Sequence, residues 1–313
     1  MGVLSLGSLT WGLLEAQARG IGPATSGAVL FGGCIFYAFL RHERKHPFPL
    51  VPLGIFRSRT FSGICLLTFL LYGGFTGSLF FLPFNLIQVQ GYSALQAGAA
   101  NLPFILVMAA LAPLSGALSG RMGPKRSLVA GSLVTGIAFV LFALPGVGGS
   151  YWATFFLPAC VLGTGFALTV PALSSLVIGS APAGSISLAS ALNSTISRVA
   201  GVTAIAAMGS FLLFSFSAEL DRRTAGLPLP EAARAQARAD RAGLASMKVP
   251  DGLAPEEAAS FRDAVKWSFV AGFRRLLAVA AVMAAMAAMS AALFVEEAPG
   301  GAIPGQEDGG RSP

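Results

Sequence analysis

Residues 60–83, TFSGICLLTFLLYGGFTGSLFFLP, run for 24 positions without one charged side chain. At about 1.5 Å per residue, a helix of that length covers the roughly 30 Å hydrocarbon core of a bilayer. Outward from this stretch, similar apolar runs recur near 25–41, 95–118, 127–146, 151–174, 190–216 and 270–294, broken by Gly, Pro and charge. A shorter run covers 1–15 and has only about fourteen apolar positions before Glu15, too few for a full crossing. That helix is either short or begins upstream. A secretory leader would fit the length, but no Lys or Arg precedes Arg19 to supply its basic start. The pattern predicts an all-α integral membrane protein of about eight transmembrane helices.

Composition agrees: 54% of the 313 residues are hydrophobic and 11% charged, against roughly 45–50% and about 25% in soluble domains. No Asp or Glu occurs between Glu43 and Glu219. A carboxylate in lipid is costly and tends to be kept where it carries function, so this region holds no acidic proton carrier. A net charge of +7 does not indicate nucleic acid, because the basic residues flank apolar runs and set orientation. Cys34, Cys65 and Cys160 lie inside apolar runs with no CxxC spacing, and His42 and His46 have no ligand partner at metal spacing. No metal site is expected.

The loops RHERKHPFPLVPLGIFRSRT (41–60) and GRMGPKRS (120–127) are strongly basic and two spans apart. The positive-inside rule puts both in the cytoplasm of a cell (inner) membrane protein, together with both termini. Residues 217–269 then fall outside, although they carry Arg222, Arg223, Arg234, Arg238, Arg241, Lys248, Arg262 and Lys266, offset in part by Glu231, Asp240, Asp251, Glu256, Glu257 and Asp263. Two surface helices are expected there. One starts at Pro230-Glu231 with Arg234, Arg238 and Arg241 on one face, which reads as a solvated stripe. The other opens at Pro255 and places Phe261, Val265, Phe269 and Phe273 on one side, as a helix lying on the membrane would. The Gly- and Pro-rich tail after Glu297 lacks the apolar content to fold.

Two motifs carry more specific information. GALSGRMGPKR (116–126) places Gly116 and Gly120 where two helices can approach, Gly123 at a turn, and Arg121, Lys125 and Arg126 beside helix ends and headgroups. It resembles the loop motif G-x-L-x-D-R-x-G-R-[RK] of the major facilitator superfamily, with Gly120 in place of the family's Asp and Pro124 in place of its second Arg. LPFNLIQVQGYSALQAG (82–98), followed by Leu102-Pro103, resembles the hairpin of the fourteen-span drug:proton antiporters of the EmrB/QacA type, and PLVPLGIFRSRTF (49–61) resembles their linker. The similarity extends through Ala189–Gly201 to Ser268–Arg274.

The resemblance implies a major facilitator fold in which residues 1–58 hold two linker spans, the first cut short, and a basic cytoplasmic loop. Residues 59–294 would form the C-terminal six-helix bundle with its extracytoplasmic loop 217–269, and 295–313 a disordered tail. It implies multidrug efflux by proton antiport with alternating access, no cofactor beyond the proton gradient, and no catalytic residues. The membrane carboxylate of such antiporters would lie in an N-terminal bundle outside these residues. Partners would be the lipid bilayer, small amphipathic or hydrophobic molecules, and a separate N-terminal half. Tyr72, Asn101, Met108, Phe166 and Asn193 are the candidate substrate-cavity residues; each polar one could instead hydrogen-bond a neighbouring helix. Phe75, Phe80 and Phe104 could join an adaptable apolar pocket, and Arg198 can snorkel as an anchor. Two other classes stay open: a non-transporting subunit that pairs with an N-terminal half, and a membrane enzyme acting on lipid-linked substrates, for which no paired carboxylates or His/Cys/Asp cluster are present.

Overall fold

Glycine and small polar residues decide how closely these apolar helices pack. The computed structural model describes residues 7–8, 11, 23–43, 53–181, 185–227 and 229–296, and among these no strand occurs. The predicted first span at 1–15, apart from isolated positions, residues 44–52 of the basic loop at 41–60 and the tail after Glu297 lie outside the described residues. The helices are α1 (Pro23–Glu43), α2 (Arg59–Phe84), α3 (Ala94–Ala99), α4 (Leu102–Met122), α5 (Pro124–Phe142), α6 (Leu157–Gly179), α7 (Ile186–Thr224), α8 (Glu231–Ala239) and α9 (Pro255–Phe294). Among the described residues, six helical segments, starting at Arg59, Ala94, Pro124, Trp152, Ile186 and Pro255, are long and apolar enough to cross a membrane.

The six long helices form two interleaved triplets. α2 packs against α7 and α9, α6 packs against α4 and α5, and an α5–α9 contact joins the two groups. The first helix of each consecutive triplet thus packs with the second and third helices of the other. The contacts are made at small residues. A Cβ added at Gly165 would stand 2.8 Å from the Thr135 amide nitrogen, and one at Gly131 would stand 2.8 Å from the Gly165 carbonyl oxygen. Thr135 and Thr169 turn their hydroxyls back to the Gly131 and Gly165 carbonyls at 2.9 and 2.8 Å, which satisfies them inside the apolar contact. Gly163 does the same for α4, where a Cβ would lie 2.6 Å from the Phe104 carbonyl oxygen.

Three local features differ from the expected spans. The run 95–118 is not one helix. A capping box, in which Ser93 Oγ accepts from the Gln96 amide and Gln96 Oε1 from the Ser93 amide, starts α3, and the chain restarts at Leu102-Pro103, where Pro cannot donate an N–H. α2 runs through Pro83 into a π-helical turn at Asn85–Val89, so the helix widens just beyond the missing proline donor. Finally, no separate membrane-surface helix precedes the last span. α9 is a single helix of 40 residues, about 60 Å long at 1.5 Å per residue, and α7 has 39. Both run past the hydrocarbon thickness. Their outer ends bury Phe261, Val265, Phe269 and Phe273 in protein, together with Leu220, Leu229, Leu244 and Met247. A packed interior claims those phenylalanines more favourably than a lipid surface would, because it removes the whole side chain from water.

Candidate substrate site

The bundle has two ends. One carries the turn between α4 and α5; the other carries the segments 90–93, 143–151 and 225–254. At the first end Gly123 closes α4 and opens α5 with φ +87° and ψ 144°, a conformation that side chains with a Cβ disfavour. Pro124 follows as the first residue of α5, where its fixed φ suits a helix start, which accounts physically for proline at this motif position. Arg121 lies in the last turn of α4, and its charge complements the helix C-terminus. Arg121 and Arg126 are exposed and Lys125 is half-buried. The expected close approach at Gly116 and Gly120 is not made: both are exposed, and no heavy atom of another element lies within 4 Å of a Cβ built on either.

Most of α4 is bare. Leu102, Leu106 and Leu114 are between half and two-thirds exposed, and Ile105, Leu118 and Met122 are also open. Behind this face, between α4 and α6, lies a cleft of about 430 Å3 lined by Leu111, Leu114, Ser115, Leu118, Arg121 and Thr164 among others. It brings the motif residue Arg121 and the spanning part of α6 to one opening. Deeper in the bundle, four rings from three helices meet. Phe166 of α6 sits 4.2 Å from Phe75 and 5.8 Å from Tyr72 of α2, and 5.9 Å from Phe104 of α4, centroid to centroid. Phe75 also approaches Phe104 at 5.4 Å. Edge-on and tilted rings at such distances attract beyond their area burial.

The structure therefore groups Tyr72, Phe75, Phe104 and Phe166, with Met108 one turn along α4 from Phe104. Phe166 is only 3% exposed, while Tyr72, Phe75, Phe104 and Met108 are half-buried. Asn193 of α7 accepts a hydrogen bond from Thr68 Oγ1 at 2.7 Å. Thr68 lies one turn before Tyr72, so this polar link borders the aromatic group. Asn101 stands apart at the α3–α4 break, three residues before Phe104, with no capping bond from its side chain. Phe80 turns away to pair with Phe81 and Phe84. Arg198 is exposed on α7.

Some residues that organise the far end carry no signal by type. Gln90 donates through Nε2 to the Gly146 carbonyl at 2.8 Å and accepts at Oε1 from the Gly148 amide at 2.8 Å, so one side chain clasps the α5–α6 loop to the end of α2. Arg274 donates to the Leu144 and Pro145 carbonyls at 3.0 and 3.3 Å, and Tyr151 to the Ala100 carbonyl at 2.9 Å. Glu219, 4% exposed, accepts from Arg222 at 2.6 Å, Arg223 at 2.9 Å and Arg275 at 3.5 Å, and so ties α7 to α9. Only the spacing of Glu219 to Arg222 and Arg223, at i+3 and i+4 on one helix, could have pointed to it.

Comparison with known proteins gives this geometry a family. The chain is 30% identical over 298 residues to the tetracenomycin C resistance and export protein of Streptomyces glaucescens, covering 93% of this chain and 54% of that protein. It is 26% identical over 277 residues to the multidrug efflux pump LfrA of Mycolicibacterium smegmatis, covering 88% and 53% respectively. The chain thus spans about half the length of these relatives. In fold it is similar to the inward-facing, unoccupied crystal structure of a bacterial homolog to the human lysosomal transporter Spinster, with a TM-score of 0.52 at 18% identity, over 92% of this chain and 66% of that one. Residues 3–205 match the profile of the Major Facilitator Superfamily, and the chain belongs to that superfamily.

Proposed function

We propose that residues 59–294 form the C-terminal bundle of a multidrug exporter of the fourteen-span antiporter type, which moves amphipathic or hydrophobic compounds by proton-coupled alternating access. The observation that carries this reading is the bare apolar face of α4 in front of the aromatic group on α2, α4 and α6. A helix with this face has nothing to bury it within the bundle, and a second bundle across it would enclose Tyr72, Phe75, Phe104 and Met108 near the midplane, where such transporters bind substrate. Aromatic and methionine side chains can repack around ligands of different shape, while Asn193 and Thr68 supply a polar contact. The turn at Gly123 faces the cytoplasm of the inner membrane in this reading, with Arg121, Lys125 and Arg126 at the headgroups.

The lack of any carboxylate from residue 44 to 218 supports a reading in which the proton-carrying acid belongs to the other bundle. Transport therefore takes both bundles. Growth in a lipophilic cation such as ethidium tests this: cells expressing the chain with the N-terminal bundle of a related exporter should tolerate more of the dye than cells expressing either part. Equal tolerance conferred by the chain by itself would sink the two-bundle reading.

A further inference from the structure

At the end of the bundle opposite Gly123, the outer parts of α7, α8 and α9 enclose a cavity of about 330 Å3. Arg234, Arg238 and Arg241 border it, with Asp221 as its one lining carboxylate. Three positive charges against one negative leave a formal +2. Glu219, two residues from Asp221, does not offset this, because Arg222, Arg223 and Arg275 already surround it. Arg234 and Arg238 are four residues apart on α8, so like charges face each other along one side of the helix, an arrangement that weakens it unless something negative lies between.

The donors are not all used. Arg234 gives its guanidinium to the Leu227 and Leu229 carbonyls, and Arg241 is ion-paired with Asp221 through Nη2. Arg238 is exposed and makes no hydrogen bond or ion pair among the described residues. The Nε of Arg241 is cut off from water and has no acceptor among the described residues. The wall beside these donors is apolar, formed by Leu220 and Phe261, which raises the strength of any charge-assisted bond made there.

We infer that this cavity binds a phosphate group, held by the unspent guanidinium donors of Arg238 and Arg241. The planar guanidinium fork matches the spacing of phosphate oxygens, and one such group would bridge Arg238 and the Nη end of Arg241 and offset the like charges on α8. The chemistry is shared by a free phosphate and by the phosphodiester of an anionic lipid at the membrane surface.

Two arms separate the sources. The purified chain in maltoside, which carries no phosphate, is titrated with inorganic phosphate by calorimetry. In parallel, chain extracted from phosphatidylglycerol-containing bilayers is examined by native mass spectrometry for retained lipid. An isotherm assigns a soluble phosphate, and retained phosphatidylglycerol without an isotherm assigns the lipid. In whichever arm binds, Arg238→Ala and Arg241→Gln should each weaken it roughly tenfold or more, as loss of a charge-assisted hydrogen bond implies. Arg262→Ala, exposed on α9 and not lining the cavity, should leave it unchanged. Arg238 has no partner to lose, so its alanine variant should keep the far-UV dichroism of the parent. Absence of binding in both arms, or binding that neither substitution weakens, would overturn the assignment.

Discussion

At the residue scale, the bundle depends on places where a side chain is missing. The α5–α6 contact puts Gly131 and Gly165 against each other, with Thr135 and Thr169 satisfied one turn along. Gly165→Val would drive a branched Cβ into the Thr135 backbone and should cost about 1–3 kcal/mol, the usual range for overpacking a close contact; thermal unfolding in detergent would report it as a lowered midpoint. An unchanged midpoint would mean that the two helices separate without penalty. The sequence marks Gly123 as a turn residue because its neighbours are Met122 and Pro124 at the end of an apolar run. It does not mark Gly165, since glycine inside a transmembrane helix is common and only the partner helix shows which glycines are needed. The same limit applies to Asn193: its type announces a polar role, but Thr68, its partner, is an ordinary threonine in an apolar run until the two helices are placed side by side.

At the scale of elements, hydropathy locates the six long helices but misses how two of them end. Lipid thickness sets a minimum length and no maximum, so α7 and α9 continue past the apolar run as one antiparallel pair. The outer end of α7 reads as loop because charge dilutes the pattern there, and that of α9 reads as a separate surface helix because its charged first turns interrupt the apolar run. Glu219 holds that extension together through three arginines on two helices. Glu219→Gln should lower the unfolding temperature, because a buried acceptor loses its charge and the arginines lose their common partner. Asp221→Asn, whose side chain is more than half exposed, should shift it much less, as exposed pairs contribute little. Equal shifts for the two variants would show that the Glu219 cluster is a surface feature without structural weight. The break between α3 and α4 was legible only in part: Pro103 and the Ser93–Gln96 spacing are visible in sequence, but the apolar run through Ala99 and Leu102 conceals the restart.

At the scale of the whole molecule, the open face of α4 is the surface that the proposed second bundle would cover. The resemblance in the sequence reached the superfamily, which the match over residues 3–205 shows; the aromatic group could be named residue by residue but not assembled, because Tyr72, Phe104 and Phe166 are distant in sequence. The proposed orientation has its own consequence. In a chain whose Cys34, Cys65 and Cys160 are replaced, Arg262→Cys should react with a membrane-impermeant thiol reagent on intact cells, and Arg121→Cys only after permeabilisation. The reverse pattern would invert the topology.

The central claim is that this bundle supplies a substrate face and lacks the proton-coupling acid. The most direct measurement is proton-driven ethidium uptake into everted membrane vesicles that contain the chain alone, compared with vesicles that also contain the N-terminal bundle of a related exporter. The account predicts uptake that collapses with a protonophore in the second preparation and none above background in the first. Protonophore-sensitive uptake by the chain alone would contradict it.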